Sequence, residues 1–235
     1  MNALYFISGA GFVGIAIVFY YLFYKHLQVA IASTPWPDMR KQTVGRGLRI
    51  GFFGWSILIA VVSLTGFTTK FELFPFNIMP FVILPLLLTL AFLFTKSMRE
   101  ILEHLPLKAL TQLQVFRVFV ELILWLLFIQ NLIPVQMTFE GYNWDVLTGI
   151  TSLLAARYIL NSKSGLMAWN IFGLILLVNI VTIAILSMPT PLRVFDNEPA
   201  NRIVTVFPFI YLPTLLVPLA YILHFLSLRK LRMKS

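Results

Sequence analysis

The sequence contains no cysteine, only three histidines and few charged residues among its 235 positions. Without cysteine there can be no disulfide, thiolate nucleophile or cysteine metal site. Three scattered histidines do not supply the paired ligands of a zinc or haem centre. Charged residues make up 11% of the chain, against about a quarter in soluble domains. We therefore expect no metal and no cofactor, and a solvent other than water around most of the chain.

Apolar residues are abundant and make up 59% of the chain. One soluble core of this length could not bury so much, which indicates an all-α integral membrane protein. A crossing needs about 20 apolar residues, and seven stretches come close, the fifth being short. They cover residues 3–24, 48–68, 74–95, 113–132, 144–160, 166–188 and 204–228. We expect a single transmembrane domain over residues 1–235.

The distribution of Lys and Arg predicts the orientation of these helices. One set of flanks carries 14 of the 18 basic residues and the opposite set carries three, with Arg117 inside a span. Basic residues accumulate on the cytoplasmic side, so we expect the N-terminus outside and the C-terminus in the cytoplasm. An odd number of spans is required for that arrangement. The cytoplasmic set comprises Lys25, Arg40, Lys41, Arg46, Arg49, Lys96, Arg99, Lys108, Arg157, Lys163, Arg229, Lys230, Arg232 and Lys234.

Two of the predicted helices share a pattern of aromatic residues and proline. Six positions match at a constant offset of 133, namely Phe74, Pro75, Phe76, Pro80, Pro85 and Leu86 with Phe207, Pro208, Phe209, Pro213, Pro218 and Leu219. The pattern suggests a 3+1+3 parallel repeat, with units 1–96 and 144–235 joined by a fourth helix at about 111–133. This plan resembles the architecture of SWEET-type transporters, although the proline-glutamine signature of related proteins is absent. The alternative to a repeat is that two helices begin with aromatic residues and proline at the membrane interface by coincidence.

Ionisable and amide side chains inside spans are the first candidates for a functional site. Arg117 and Glu121 lie four residues apart on the fourth helix, which predicts one face and an ion pair. Asn170 and Asn179 in the sixth helix could converge with them on a polar pocket that binds a ligand or ion. His224 in the seventh helix is a further candidate, for proton coupling. The alternative is a buried structural pair that locks helix packing.

Two external loops carry most of the remaining polar side chains. Carboxylates and amides at the mouth of a pore could bind a cation or a hydroxylated ligand, whereas solvated, proline-stiffened loops are the alternative. A calcium loop is not indicated, because the spacing matches none. The candidate residues are Glu140, Asn143, Asp145, Asp196 and Asn201.

Two further segments receive structural interpretations. Residues 9–14 match G-x-G-x-x-G, but no strand precedes them and no acid follows at the required distance. Close helix packing explains these small residues better, as it does Gly47 and Gly51. Residues 97–108 mix charges with Ile101, Leu102 and Leu105, which predicts a short amphipathic helix along the cytoplasmic interface, with His104 solvated.

Three functions follow from these features. The leading hypothesis is a small transporter-like protein that binds or transports a solute in an intramembrane polar cavity. The alternatives are an accessory subunit of a membrane complex, as a homo- or hetero-oligomer, and an intramembrane enzyme acting on lipid, for which no nucleophile is evident. The lipid bilayer is the expected partner and nucleic acid is not, because the basic residues follow the membrane flanks. We expect a multi-pass protein of the plasma membrane, in a bacterium the inner membrane.

Overall fold

The computed structural model describes residues 3–233, which are helical without any strand. Lys234 and the outermost ends of the two predicted repeat units lie outside these residues. The helices are α1 (Ala3–Ala32), α2 (Asp38–Leu64), α3 (Met79–Leu93), α4 (Lys96–His104), α5 (Leu107–Ile129), α6 (Val146–Ile159), α7 (Lys163–Leu186) and α8 (Leu212–Met233).

Five of these helices are long and apolar enough to cross a membrane: α1, α2, α5, α7 and α8. Several crossings are therefore compatible with the structure, as a multi-pass membrane protein requires. At 1.5 Å rise per residue, the 15 residues of α3 extend only about 22 Å, less than the roughly 30 Å hydrocarbon layer. Helix α3 continues into α4 through a bend of 85°. Helix α6 is also short, as the sequence predicts.

The third helix begins later than its apolar stretch. Residues 74–78 are turns, preceded by 3₁₀ turns at Phe67–Thr69 and Phe71–Leu73. Proline lacks a backbone donor and restricts the residue before it. Pro75 and Pro80 accordingly shorten the helix predicted from residue 74.

Two backbone carbonyls in the proline-containing first turns of α8 have side-chain partners. Its first turn, Leu212–Leu216, is a π-helix, and Pro218 cannot donate to the carbonyl of Thr214. The indole Nε1 of Trp55 donates to that carbonyl instead, at 3.1 Å, and the Tyr20 hydroxyl donates to the Leu215 carbonyl at 2.9 Å. Side chains from α2 and α1 thus donate to two carbonyls of this turn, one of which, that of Thr214, has lost its donor to Pro218.

Gly9 and Gly11 of α1 permit close packing, as predicted, whereas a Cβ on Gly14 would meet no atom within 4 Å. A Cβ on Gly9 would lie 2.9 Å from the Pro208 ring, and one on Gly11 would lie 2.6 Å from Ile123 Cδ1. The close packing expected at Gly47 and Gly51 is absent within the described part of the chain, because no atom lies within 4 Å of a Cβ built at either position.

Helix α4 is strongly amphipathic. Ile101, Leu102 and Leu105, at its end, are buried, whereas His104 is exposed. The Thr95 hydroxyl caps the helix by accepting from the Met98 amide at 3.2 Å, a favoured N-cap arrangement. This orientation leaves the charged face of α4 on the outside of the bundle.

Candidate functional site

A cavity lies among α3, α5, α7, α8 and the loop before α6. It offers about 90 Å³ to the centres of water-sized molecules. Aliphatic, aromatic and methionine side chains form nearly all of its wall, including Met79, Met137 and Met188. Four polar residues lie in this wall: Arg117, Glu121, Asn143 and Asp145. We call these four residues the polar wall.

Arg117 is the buried cation of the polar wall. Its side chain is 2% exposed, and its Nη1 donates to Asp145 Oδ1 at 2.9 Å and to the Gly173 carbonyl at 3.3 Å. The predicted ion pair with Glu121 is wrong, because Asp145 takes that place. Nε and Nη2 of Arg117 have no hydrogen-bond partner within residues 3–233. Those two atoms form one edge of the guanidinium, which can bind two acceptors side by side.

Glu121 lies one turn from Arg117 on the same helix, as predicted, but it contacts the outer loop. Its Oε1 accepts from the Phe139 amide at 2.6 Å, and its Oε2 accepts from Asn143 Nδ2. Asn143 also donates to the Met137 carbonyl at 3.1 Å. Glu121 therefore anchors the loop to the bundle while remaining in the wall of the cavity.

Two glycines bring the loop and α6 close enough to build this wall. A Cβ on Gly149 would lie 2.9 Å from both the Val118 amide nitrogen and Val118 Cγ2, so α6 packs directly on the backbone of α5. A Cβ on Gly141 would lie 2.4 Å from the Val135 carbonyl oxygen. The first contact places Asp145 beside Arg117, and the second holds the loop that carries Asn143.

Asn170 and His224 form a second buried polar group next to the first. His224 Nδ1 and Asn170 Oδ1 are 2.8 Å apart, and Asn170 Nδ2 donates to Ser227 Oγ at 3.0 Å and to the Leu166 carbonyl at 2.8 Å. Because Asn170 Nδ2 is the donor in both of these bonds, Asn170 Oδ1 is the acceptor that faces His224. Nδ1 of His224 must therefore carry the proton. The imidazole lies over Gly173, whose carbonyl contacts Arg117. Asn170 and His224 thus lie next to Arg117 on the far side of Gly173, but neither residue lines the cavity.

The other predicted residues lie elsewhere. Asn179 is not in the polar wall; its Nδ2 donates to the Tyr142 carbonyl at 2.8 Å, beside a shallow surface depression. Glu140 is exposed and accepts from Trp125 Nε1 at 2.6 Å. Asp196 is exposed. Asn201 is fully buried and donates to the Ala184 carbonyl at 2.9 Å, which anchors its loop to α7.

The long loop between α7 and α8 is held by its own polar contacts. Glu198 accepts from the Ala200 amide at 2.7 Å and from Arg193 Nη2 at 2.9 Å. The Ala200 amide first, and then Arg193, holds the pKa of Glu198 below its ordinary value. Asn197 exchanges hydrogen bonds with Gln136 of the loop between α5 and α6 at 2.9 and 3.1 Å. The two loops are therefore locked together.

Residues 3–233 contain no group of three or more side chains that could hold a metal ion. The residues that sequence reasoning missed in this region are Thr148, Gln136 and the glycines at 141 and 149. Thr148 is buried with its hydroxyl unpartnered within residues 3–233. Nothing in the pattern of a single sequence separates such residues from ordinary loop and helix positions.

A family model for the domain of unknown function DUF8737 matches residues 52–232. The match covers well over half of the chain and includes the whole polar wall, so the chain belongs to this family. No curated protein and no solved structure matches the chain.

Proposed function

We propose that this member of the family binds a small, mostly apolar solute within the membrane, in the cavity beside Arg117, and carries it across or along the bilayer. The observation that supports the proposal most directly is an apolar cavity inside the helix bundle with four polar residues, the polar wall, among its lining residues. Ligand sites are mostly apolar, with a few polar groups that fix the orientation of the ligand. The polar wall is therefore suited to hold the polar end of a solute.

The size of the cavity indicates the size of the solute. The cavity leaves about 90 Å³ for the centres of water-sized atoms, so it holds several heavy atoms and not just one water. A short alkyl chain is a solute of this kind. Octyl compounds are therefore suitable probes.

We predict that an octyl probe binds saturably in this cavity. With ¹³C-methyl methionine in lipid nanodiscs, 2-octanone should shift the resonances of Met79, Met137 and Met188, which line the cavity. Met39 is 81% exposed and does not line the cavity, so its resonance should change little and without saturation.

Two matched variants of α7 test the location of that binding. Val181→Phe adds a ring to the cavity wall, whereas Val178→Phe makes the same change on the outer face, where Val178 is 64% exposed. We expect the first to abolish the saturable shifts and the second to preserve them. Equal behaviour of the two variants, or shifts at Met39 of the same size, would contradict the proposal.

The alternative function is that of an accessory subunit. The small buried part of α2 favours this alternative. Only three α2 residues are buried. No atom lies within 4 Å of a Cβ built at Gly47, Gly51 or Gly54. Small residues on a membrane helix permit close approach of another helix. A stoichiometric partner or homo-oligomer that co-purifies in mild detergent, with loss of that association in Gly51→Leu, would support this function instead.

The proposed topology has seven crossings, with the N-terminus outside, in a plasma membrane. In this arrangement α3 and α6 cross together with their non-helical flanks, and α4 lies along the cytoplasmic interface. Helices α3 and α8 begin at Met79 and Leu212, which are separated by the same 133 residues as the six matched positions. Equivalent starting points support a 3+1+3 repeat around α5.

Single cysteines test this topology cleanly, because the chain has none of its own. In intact cells, a membrane-impermeant maleimide should label Lys70→Cys and Asp196→Cys but not Ser33→Cys or Ser164→Cys. All four side chains are exposed. Inverted vesicles should give the opposite pattern. Labelling of Lys70→Cys and Asp196→Cys from opposite sides would rule out the seven-crossing arrangement.

A further inference from the structure

We infer that Glu121 is a proton-binding site that controls the α5–α6 loop (residues 130–145). The loop covers the cavity while Glu121 is ionised and moves away from it when Glu121 binds a proton. This inference rests on the proposed function and adds its regulation. It follows from the position of the loop, from the hydrogen bonds of the Glu121 carboxylate and from the orientation of the Asn143 amide.

The α5–α6 loop has one side towards the cavity and one side towards the surroundings of the protein. Met137 and Asn143 line the cavity and are 1% and 2% exposed. Glu140 and Tyr142, which lie between them in the sequence, are exposed. In the proposed topology this loop is on the outer side of the membrane. Displacement of the loop would therefore open the cavity towards that side.

Both carboxylate oxygens of Glu121 hold the middle of this loop. Oε1 accepts from the Phe139 amide at 2.6 Å, and Oε2 accepts from Asn143 Nδ2. An ionised carboxylate accepts at both oxygens, whereas a protonated carboxyl group carries a donor hydrogen on one of them and has less acceptor capacity. Hydrogen bonds to an ionised group are also about twice as strong as bonds between neutral groups. Protonation of Glu121 therefore weakens its contacts with the loop.

The Asn143 side chain cannot exchange its oxygen and nitrogen to suit a protonated Glu121 without losing other bonds. Its Nδ2 also donates to the Met137 carbonyl at 3.1 Å, and its Oδ1 accepts from the Asp145 amide at 3.2 Å. A half-turn of the amide group would place oxygen against the Met137 carbonyl and nitrogen against the Asp145 amide. The donor of Asn143 therefore faces Glu121, and this conformation of the loop requires an acceptor there.

Glu121 is the carboxyl group of the polar wall that has no ion-pair partner within residues 3–233. Arg117 is paired instead with Asp145 at 2.9 Å. Glu140 of the same loop is exposed, and His224 of α8 lies outside the cavity wall. A proton can therefore bind to Glu121 without breaking an ion pair.

The helices around Glu121 add no further ionisable group to this region. Residues 6–19 of α1, which contact α5 at Gly11 and Phe19, contain none, and neither do residues 146–156 of α6. Among the described residues that line the cavity, those of α3, α7 and α8 are all uncharged. A response of the loop to pH is therefore expected to follow Glu121.

The start of the loop is held by contacts that do not depend on pH. Gln136 exchanges hydrogen bonds with Asn197 and donates to Ser187 Oγ at 3.0 Å. Amide and hydroxyl side chains of this kind carry no charge that a change of pH could remove. We expect protonation of Glu121 to release residues 137–143 while Gln136 stays in place.

The Phe139 amide reports the state of the loop through hydrogen exchange. In lipid nanodiscs without solute, its protection factor should fall at least about tenfold from about pH 8.5 to about pH 4.5, because a charge-assisted hydrogen bond is lost. The carboxyl ¹³C resonance of Glu121 should titrate over the same pH range. The Asn201 amide donates to the Ser187 carbonyl at 2.8 Å and should keep its protection. This comparison uses the wild-type protein and does not depend on a variant folding.

Two matched substitutions assign the effect to Glu121. Glu121→Gln places a neutral amide at the site, so Phe139 should be weakly protected at both pH values. Glu140→Gln makes the same change at the exposed carboxylate that follows Phe139. It should leave both the protection of Phe139 and its dependence on pH as in the wild type.

A single cysteine in the cavity wall tests whether the loop controls access. At one pH, a membrane-impermeant maleimide added from the outer side should label Val181→Cys at least about tenfold faster with Glu121→Gln than with Glu140→Gln, because the open state is more populated. Val181 lines the cavity. Val178→Cys, on the outer face of α7 where Val178 is 64% exposed, should react equally in the two backgrounds.

The outcomes are distinguishable. The inference is overturned if the protection of Phe139 does not change with pH, if it still changes in Glu121→Gln, or if Asn201 loses protection in parallel. Equal labelling of Val181→Cys in the two backgrounds also overturns it. Saturable binding of 2-octanone in any of these cases leaves the proposed function standing. If 2-octanone binds saturably at neither pH while Phe139 responds as expected, the proposed function fails and the control of the loop by Glu121 remains.

Discussion

Replacement of Asp145 by alanine should lower the free energy of unfolding by about 3–5 kcal/mol, because it leaves Arg117 charged and buried without its partner. The Arg117 and Asp145 side chains are 2% and 13% exposed. Few single substitutions in this chain would leave so deeply buried a charge without its ion-pair partner. Unfolding of the purified protein by SDS in mixed micelles, followed by circular dichroism, measures the loss.

Asp38→Ala is the matched control for this prediction. Asp38 also forms an ion pair, with Lys41 at 3.9 Å, but its side chain is 92% exposed. Exposed pairs contribute less than about 1 kcal/mol, so Asp38→Ala should hardly change the unfolding free energy. The double variant Arg117→Met/Asp145→Ala should recover most of the loss, since the unpaired charge is gone. Similar effects of Asp38→Ala and Asp145→Ala would show that the pair is not shielded from water.

Gly173→Ala should destabilise the protein by about 1–3 kcal/mol through overpacking. The new methyl group would lie 2.5 Å from Cε1 and 2.6 Å from Nε2 of His224, and 2.9 Å from Thr148 Cγ2. These contacts are far too short, and the imidazole cannot move without loss of its bond to Asn170. The same unfolding assay measures the cost, and the ¹⁵N resonance of His224 Nδ1 reports whether the hydrogen bond survives.

Gly51→Ala, in contrast, should leave the free energy of unfolding unchanged or raise it slightly. Gly51 is also inside a helix, but no atom lies within 4 Å of the added Cβ. Alanine favours a helix over glycine by about 1 kcal/mol, so this variant should be unchanged or slightly more stable. Because both substitutions gain the same helix propensity, the difference between them isolates the collision with His224. A stable Gly173→Ala protein with an unchanged His224 resonance would refute the packing described for this region.

Local properties of the chain were predictable where they depend on residues close together in sequence. The amphipathic helix before α5 was one such case, because its charged and apolar residues fall on opposite faces within ten positions. The shared face of Arg117 and Glu121 was another, because four residues make one helical turn. The need for partners of the carbonyls freed by proline was also predictable, but the identity of Trp55 as a partner was not. That contact joins residues 159 positions apart.

The candidate site shows the same division. Arg117, Glu121, Asn170 and His224 were selected because ionisable and amide groups inside spans are costly, and the structure brings them to one region. Asn143 and Asp145 were assigned to an external loop, yet they complete the polar wall. Asn179 was assigned to the pocket, yet it lies at a surface depression. Its depth along the helix was foreseeable, but its direction depends on how α7 is rotated against its neighbours.

The sequence by itself determined that this chain is all-helical and apolar enough for several membrane crossings, because composition and run length set the preferred solvent of each segment. It also singled out Arg117, Glu121, Asn170 and His224, which the structure buries. Only the tertiary structure decided the partners of those groups. The partner of Arg117 lies 28 residues away, directly before a helix whose position depends on the absence of a side chain at Gly149. Such a pairing arises from the packing of three-dimensional surfaces, and no periodicity along the chain encodes it.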